Sequence, residues 1–240
     1  MTAPTDDLRR PRDLSQIIDT ALRLYRQNFG EFVAIAAVTL PLDVISAGVS
    51  LAIANTVVAT VVMVLLDIPS FAIAIVAGAA VARSVADTGE GLAPDFYRAY
   101  REVLPRLRDL LLATVRVFGI VLLLSVTIIG IPFAVYLAIR WAFFSQAIVI
   151  DGRSAKEARE ASSRIVEGFW WRAFGILLVI GLLAAIPTFL VSAVFAPAAP
   201  IAGSLASSVV AVVVLPFSAA AATLLFFDLS SREHERVGVA

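Results

Sequence analysis

The chain contains no cysteine and only one histidine. Without cysteine, disulfides, thiolate metal sites and a cysteine nucleophile are excluded by inventory. The histidine, His234, stands between Glu233 and Glu235 near the C-terminus, the setting of a solvated tail residue and not of a ligand set or a general base. Neither metal nor cofactor is therefore expected. Charge is scarce as well: 16% of residues are Asp, Glu, Lys or Arg, where soluble domains carry about 25%. The formal net charge is +0, which gives no whole-molecule attraction to nucleic acid or to acidic partners. No glycine-rich phosphate loop with lysine, no metal-spaced histidine cluster and no nucleophile elbow is found, so no catalytic residue is assigned. The N-terminal thirty residues also lack the short apolar core and small-residue cleavage site of a signal peptide. The first apolar segment is expected to serve as its own uncleaved insertion signal.

What the chain has is apolar length. Hydrophobic residues make up 60% of it, and the mean hydropathy is +0.92. Three blocks are almost free of charge: 32–82 holds only Asp43 and Asp67, 110–150 only Arg116 and Arg140, and 173–227 none. One membrane-spanning helix needs about 20 apolar residues, so each block fits two spans joined by a tight turn. The expected fold is all-α: a polytopic membrane helix bundle of six transmembrane helices. Gly130-Ile131-Pro132 is expected to split the second block and Phe195 to Pro200 the third. The first block is expected to break around Asn55, with Asp67-Ile68-Pro69-Ser70 kinking the second span.

All of the 19 lysines and arginines except Arg116 and Arg140 fall in the polar segments 1–31, 83–109, 151–172 and 228–240. Basic residues are retained on the cytoplasmic side, so these segments are expected inside, placing both ends of a multi-pass cell-membrane protein in the cytoplasm. The polar segment before each block reads as an amphipathic cytoplasmic surface helix. The first has Leu14, Ile17, Ile18, Ala21, Leu22, Tyr25 and Phe29 on one face. The second runs from Pro94 to about Arg108 and bends at Pro105. The third opens with a capping box of Ser154 and Glu157 and ends at Trp170, Trp171 and Arg172, expected as interface anchors at the headgroups. The domain reading is 1–30 as a cytoplasmic N-terminus with a surface helix, 31–229 as the six-span membrane domain, and 230–240 as a cytoplasmic tail. Surface helix, span, span recurs three times, which suggests a three-fold pseudo-repeat.

Several stretches resemble those of the membrane domain family of glycerophosphoryl diester phosphodiesterase, a group of six-span proteins. They are Ala21 to Phe29 (Ala-Leu-Arg-Leu-Tyr-Arg-Gln-Asn-Phe), Arg140-Trp141, Ser162 to Arg172, and Phe226-Phe227-Asp228-Leu229. The resemblance spans nearly the whole chain and implies the six-span fold. It does not imply the phosphodiesterase reaction here, because that chemistry uses paired histidines and several carboxylates around a metal.

Ionisable residues inside spans are functional candidates by default. Asp43 and Arg140 each lie roughly ten residues into a span, near the midplane at about 1.5 Å per residue. They are expected to form a candidate intramembrane polar pair, either an ion pair that fixes packing or part of a substrate or proton pathway. Asp67 and Arg116 lie nearer the two faces, where snorkelling accounts for them. The leading functional expectation is a non-enzymatic integral membrane protein that anchors or organises partners at the cytoplasmic membrane. Its partners would be membrane lipids and other membrane or cytoplasmic proteins. The alternative is a small transporter or lipid-handling protein with a polar site at Asp43 and Arg140, with a membrane-embedded enzyme as a third reading.

Overall fold

In the computed structural model, residues 8–53, 56–195 and 200–238 are described. Among them the chain forms eleven α-helices and no strand. Helix α1 (Leu14–Gln27) starts at Asp13, where the Gln16 side chain accepts from the Asp13 backbone N–H at 3.2 Å. After Asn28 the chain enters α2 (Phe29–Ala36), tightens into a 3-10 turn at Ala37–Thr39, and resumes as α3 (Leu40–Ala52). Pro41 falls in the first turn of α3, where its missing N–H costs nothing. The break between the first two spans lies between Ala52 and Thr56, and Asn55 itself is outside the described residues. Helix α4 (Thr56–Gly89) then runs through Pro69 without ending.

Helix α5 (Phe96–Val103) is shorter than the segment reaching Arg108 that was expected. Pro105 lies in a 3-10 turn, Leu104–Arg106, because it can neither donate nor admit the carbonyl four residues back. Helix α6 (Leu107–Ser125) follows at once. Gly130-Ile131-Pro132 does not form the next turn. It opens α7 (Gly130–Arg140), and the turn is 126–129. Glycine is required there, since a Cβ on Gly130 would lie 2.0 Å from the Leu124 carbonyl oxygen.

The remaining helices are α8 (Phe144–Val149), α9 (Ala155–Val166), α10 (Trp170–Phe195) and α11 (Pro200–Gly238). Between α9 and α10 the chain turns at Gly168, whose φ of +84° suits a residue without a side chain. The expected turn at Phe195 to Pro200 falls largely on 196–199, outside the described residues. Helix α11 continues past residue 230 to Gly238.

Five helical segments are long and apolar enough to cross a membrane: Phe29–Val49, Thr60–Gly89, Gly130–Val149, Trp170–Phe195 and Ala202–Arg236. Helix α6 is not among them, and it carries Arg108, Asp109 and Arg116.

The packing follows a cycle. Helix α5 lies on α4 and α9 lies on α8, each on the helix just before it, while α1 lies on α11 at the far end of the chain. The cores of α4, α8 and α11 meet at one end of the bundle. Val81 and Val85 of α4, Ile148 of α8 and Leu224, Leu225 and Leu229 of α11 are fully buried there, with Phe143 against Phe226 at 6.3 Å. Ala79, Ala80, Ala220 and Ala221 let the backbones approach closely. At the opposite end the helices expose apolar side chains: Val57, Leu65 and Ile68 of α4, Leu122 and Leu123 of α6, Ile128 and Ile129 of the turn, and Phe189 and Val194 of α10. Soluble monomers rarely leave so large an apolar patch in water. Burial is therefore concentrated at the end that carries α1, α5 and α9.

Candidate functional site

The polar chemistry of the chain is concentrated at that same buried end, around two carboxylates. Asp228, on α11, has a fully buried side chain. Arg172, at the start of α10, reaches its Oδ2 from Nε at 3.0 Å, and Arg232, one turn along α11, reaches Oδ1 at 2.9 Å. The backbone N–H of Arg12 donates to the same Oδ1 at 2.7 Å, and Arg172 also donates to the Arg12 carbonyl. Arg12 is the residue just before the Asp13 cap of α1, so one carboxylate ties together α10, α11 and the entry to α1. A buried charge is tolerated only when it is paired and hydrogen-bonded, and Asp228 meets both conditions.

Asp87, in the last turns of α4, repeats the arrangement. Its side chain is 1% exposed; Arg83, one turn back, lies 2.9 Å from Oδ1, and Arg98 of α5 lies 3.1 Å from Oδ2. Arg83 also pairs with Glu102 of α5, and Arg98 donates to the Ala93 carbonyl at the approach to that helix. In both places an aspartate on a long helix receives an arginine from its own helix and a group from the short helix, or its entry, packed on it.

Two tyrosines supplement the carboxylates. Tyr25 of α1 donates to the Val213 carbonyl at 2.7 Å, one turn before Pro216, where the proline ring disturbs the helical ladder. Tyr100 of α5 donates to the Ile35 carbonyl at 2.7 Å, just ahead of the 3-10 turn that interrupts the first span. Both hydroxyls therefore satisfy carbonyls at helix irregularities. Burial raises the Tyr25 phenol above its ordinary value and pushes Tyr100 up to about 12.

Helix α9 is held in a third way. The Asp109 carboxylate accepts from the Ala155 N–H at 3.2 Å, and Ser154 and Glu157 form the capping box, with Ser154 N–H and Oγ donating to Glu157 at 3.0 and 2.8 Å. Those two hydrogen bonds, the backbone one first, hold the Glu157 carboxyl below its ordinary value. Ser162 bridges the break at 141–143. It accepts from the Phe143 N–H at 3.1 Å and donates to the Arg140 carbonyl at 2.9 Å.

The structure does not bring Asp43 and Arg140 together. Arg140 ends α7, its carbonyl held by Ser162 of α9 and its guanidinium turned back to the Tyr136 hydroxyl at 3.0 Å. It stands where α7 gives way to the break at 141–143, within the apolar segment Gly130–Val149. Asp43, half-buried on α3, packs in a part of the bundle formed by α3, α4 and α11, and no described ion pair joins it to Arg140. Asp67 and Arg116 are exposed on α4 and α6.

The three residues assigned as interface anchors divide. Trp171 is 77% exposed. Trp170 is half-buried, stacks on Phe174 at 5.3 Å and donates from Nε1 to the Tyr136 carbonyl at 3.2 Å. Arg172 turns inward to Asp228.

Sequence reasoning missed Asp87 and Asp228 because both stand at the edge of an apolar block, where they look like ordinary flanking charge. The available signal was an arginine four residues away on the same helix in each case, Arg83 and Arg232. Among the described residues, no group of three or more histidine, aspartate or glutamate side chains could hold a metal ion. The chain matches no family model, no curated protein and no solved structure.

Proposed function

We propose that this chain is a six-span cell-membrane protein with both ends in the cytoplasm, and that it works as a non-enzymatic module whose cytoplasmic end organises partner proteins. In this reading α6 is the sixth crossing. Its apolar stretch from Leu110 to Ser125 carries one charge, Arg116, and it packs along α7 as one arm of a hairpin. Helices α1, α5 and α9 are the amphipathic surface helices, and the membership suggested by the resemblance to the glycerophosphoryl diester phosphodiesterase membrane domain belongs to the same proposal.

The observation that carries the reading is the use made of buried charge. Asp228 ties α10, α11 and the entry to α1 together, and Asp87 ties α4 to α5. The outward faces of the short helices are left to solvent: Asp19, Arg23 and Arg26 on α1, Arg101 on α5, and Lys156 and Glu160 on α9. A rigid platform with a mixed charged surface supports specific docking, since electrostatic complementarity selects partners more than it adds affinity. The pair that motivated a transport pathway, Asp43 and Arg140, is not formed.

Photocrosslinkers placed at Asp19, Arg101 and Lys156 in native membranes test this. One discrete protein adduct shared by these positions, and lost when Lys156 and Arg101 are reversed in charge, is the expected result. Substrate uptake or lipid scrambling by the purified protein in liposomes would overturn the reading.

A further inference from the structure

The last turn of α7 and the first turn of α10 close on each other through a continuous stack. The Arg140 guanidinium lies over the Tyr136 ring at 6.0 Å and donates to its hydroxyl at 3.0 Å. Tyr136 stacks in turn on Trp170 at 5.9 Å, and Trp170 on Phe174 at 5.3 Å. The Trp170 indole also donates to the Tyr136 carbonyl, and Ser162 of α9 holds the Arg140 carbonyl. One cation is therefore fixed where α7, α9 and α10 meet.

A second cation borders the same break. Arg159, on α9 just ahead of Ser162, lays its guanidinium over the Trp141 ring at 5.4 Å. Both arginines are half-buried, and among the described residues neither forms an ion pair. The acids of α9 nearest to Arg159 are engaged elsewhere, Glu157 by the Ser154 hydroxyl and Glu160 by Lys156 at 3.9 Å. Each guanidinium carries five N–H donors, and a half-buried cation keeps its charge only against an anion or water. The surface around the stack is apolar. Phe133, one turn before Tyr136, and Leu178, one turn after Phe174, are both exposed.

We propose that Arg140 and Arg159 bind the phosphate of an anionic phospholipid, whose acyl chains lie along Phe133 of α7 and Leu178 of α10. The inference rests on the six-span reading, in which α9 and the start of α10 stand at the cytoplasmic face, where anionic lipids give the leaflet its negative surface potential. Guanidinium forks match phosphate oxygens in geometry and charge. Two cations without a carboxylate select a headgroup of net negative charge over a zwitterionic one. The apolar surfaces beside them select a lipid over a soluble phosphate.

The test uses the full chain in detergent micelles, mixed with equal amounts of phosphatidylglycerol and phosphatidylcholine of the same acyl chains. Native mass spectrometry counts the lipids retained. The wild type is expected to retain phosphatidylglycerol preferentially, and R140Q/R159Q to lower that retention by at least about tenfold. R159Q alone should lower it at least about threefold; it carries the test if thermal unfolding shows the double variant to be unfolded. R101Q/K156Q removes the same charge from exposed positions outside the stack and should keep the wild-type preference. Excess inorganic phosphate should not displace the lipid. Equal retention of the two lipids by the wild type, unchanged retention in folded R140Q/R159Q or R159Q, an equal loss in R101Q/K156Q, or displacement by phosphate overturns the proposal. Lipid retention in micelles is blind to topology, so its failure leaves the six-span reading untouched. Failure of side-specific labelling rejects that reading whatever lipid is retained.

Discussion

Arg172 Nε lies 3.0 Å from Asp228 Oδ2, joining the start of α10 to a fully buried carboxylate on α11. Removing one partner of such a pair strands the other in low dielectric, at a cost of about 3–5 kcal/mol. Asp228→Ala should be the most damaging single change at this end of the bundle, because it abandons two guanidiniums and the Arg12 N–H together. Arg232, one turn away on the same helix, is as exposed as Arg172, but Arg172 also donates to the Arg12 carbonyl. Loss of Arg232 should therefore cost less than loss of Arg172. Thermal unfolding in micelles should rank Asp228→Ala below Arg172→Ala, and Arg172→Ala below Arg232→Ala; equal midpoints for the first and last would show that the carboxylate is not an organising centre.

Tyr100 gives a pH dependence with a definite sign. Its phenol is pushed by burial from 10.0 to about 12. Below pH 10 the group is protonated whether the chain is folded or unfolded, and its contribution to stability is fully present. Between pH 10 and pH 12 the unfolded phenol ionises while the folded one does not, so stability falls as pH rises. Tyr100→Phe should lose about 1 kcal/mol at neutral pH with the hydrogen bond to Ile35, and should flatten the alkaline decline. An unchanged slope in the variant would contradict the assignment.

Asp43 and Arg140 should behave as independent residues. A double-mutant cycle with Asp43→Leu and Arg140→Leu is expected to be additive within about 0.5 kcal/mol, as for separated sites. Rescue of either single mutant by the other would require a contact that the fold does not make.

The two adjacent tryptophans should separate cleanly. Trp171→Ala removes an exposed ring and should leave folded stability nearly unchanged. Trp170→Ala removes the stack on Phe174 and the hydrogen bond to Tyr136, and should cost roughly 2 kcal/mol, less than the 3–5 of a fully buried ring. Quenching by brominated lipids should be stronger for Trp171 than for Trp170, measured in single-tryptophan proteins. The reverse order would place the wrong ring at the surface.

The helical class and the apolar runs were legible because their signals are local. Composition, run length and the Ser154–Glu157 box can be read along a single stretch of chain. Ile17, Ala21 and Tyr25 of the expected face are buried on α1, yet Leu14, Leu22 and Phe29, from the same expected face, are exposed, and Leu24, from outside it, is buried. That stripe is wider than the α11 surface it meets. The site was less legible because it is made by contacts distant in sequence. Nothing local to Asp228 announces that Arg12 and Arg172 will meet it, and nothing local to Val213 or Ile35 announces a tyrosine. The break after Arg140 was hidden for the same reason, because Ser162, which bridges it, comes from α9.

The central claim is that the chain crosses six times, with α1, α5 and α9 on one side. Because the protein has no cysteine, each introduced thiol is the sole target of a membrane-impermeant maleimide. The most direct measurement labels Glu90→Cys, Thr127→Cys, Lys156→Cys and His234→Cys, one at a time, in intact spheroplasts and in inverted membrane vesicles. The account predicts labelling of Glu90→Cys, Lys156→Cys and His234→Cys only in inverted vesicles, and of Thr127→Cys only in spheroplasts. Labelling of Thr127→Cys from the same side as Lys156→Cys, or of His234→Cys from the side opposite Glu90→Cys, would contradict it.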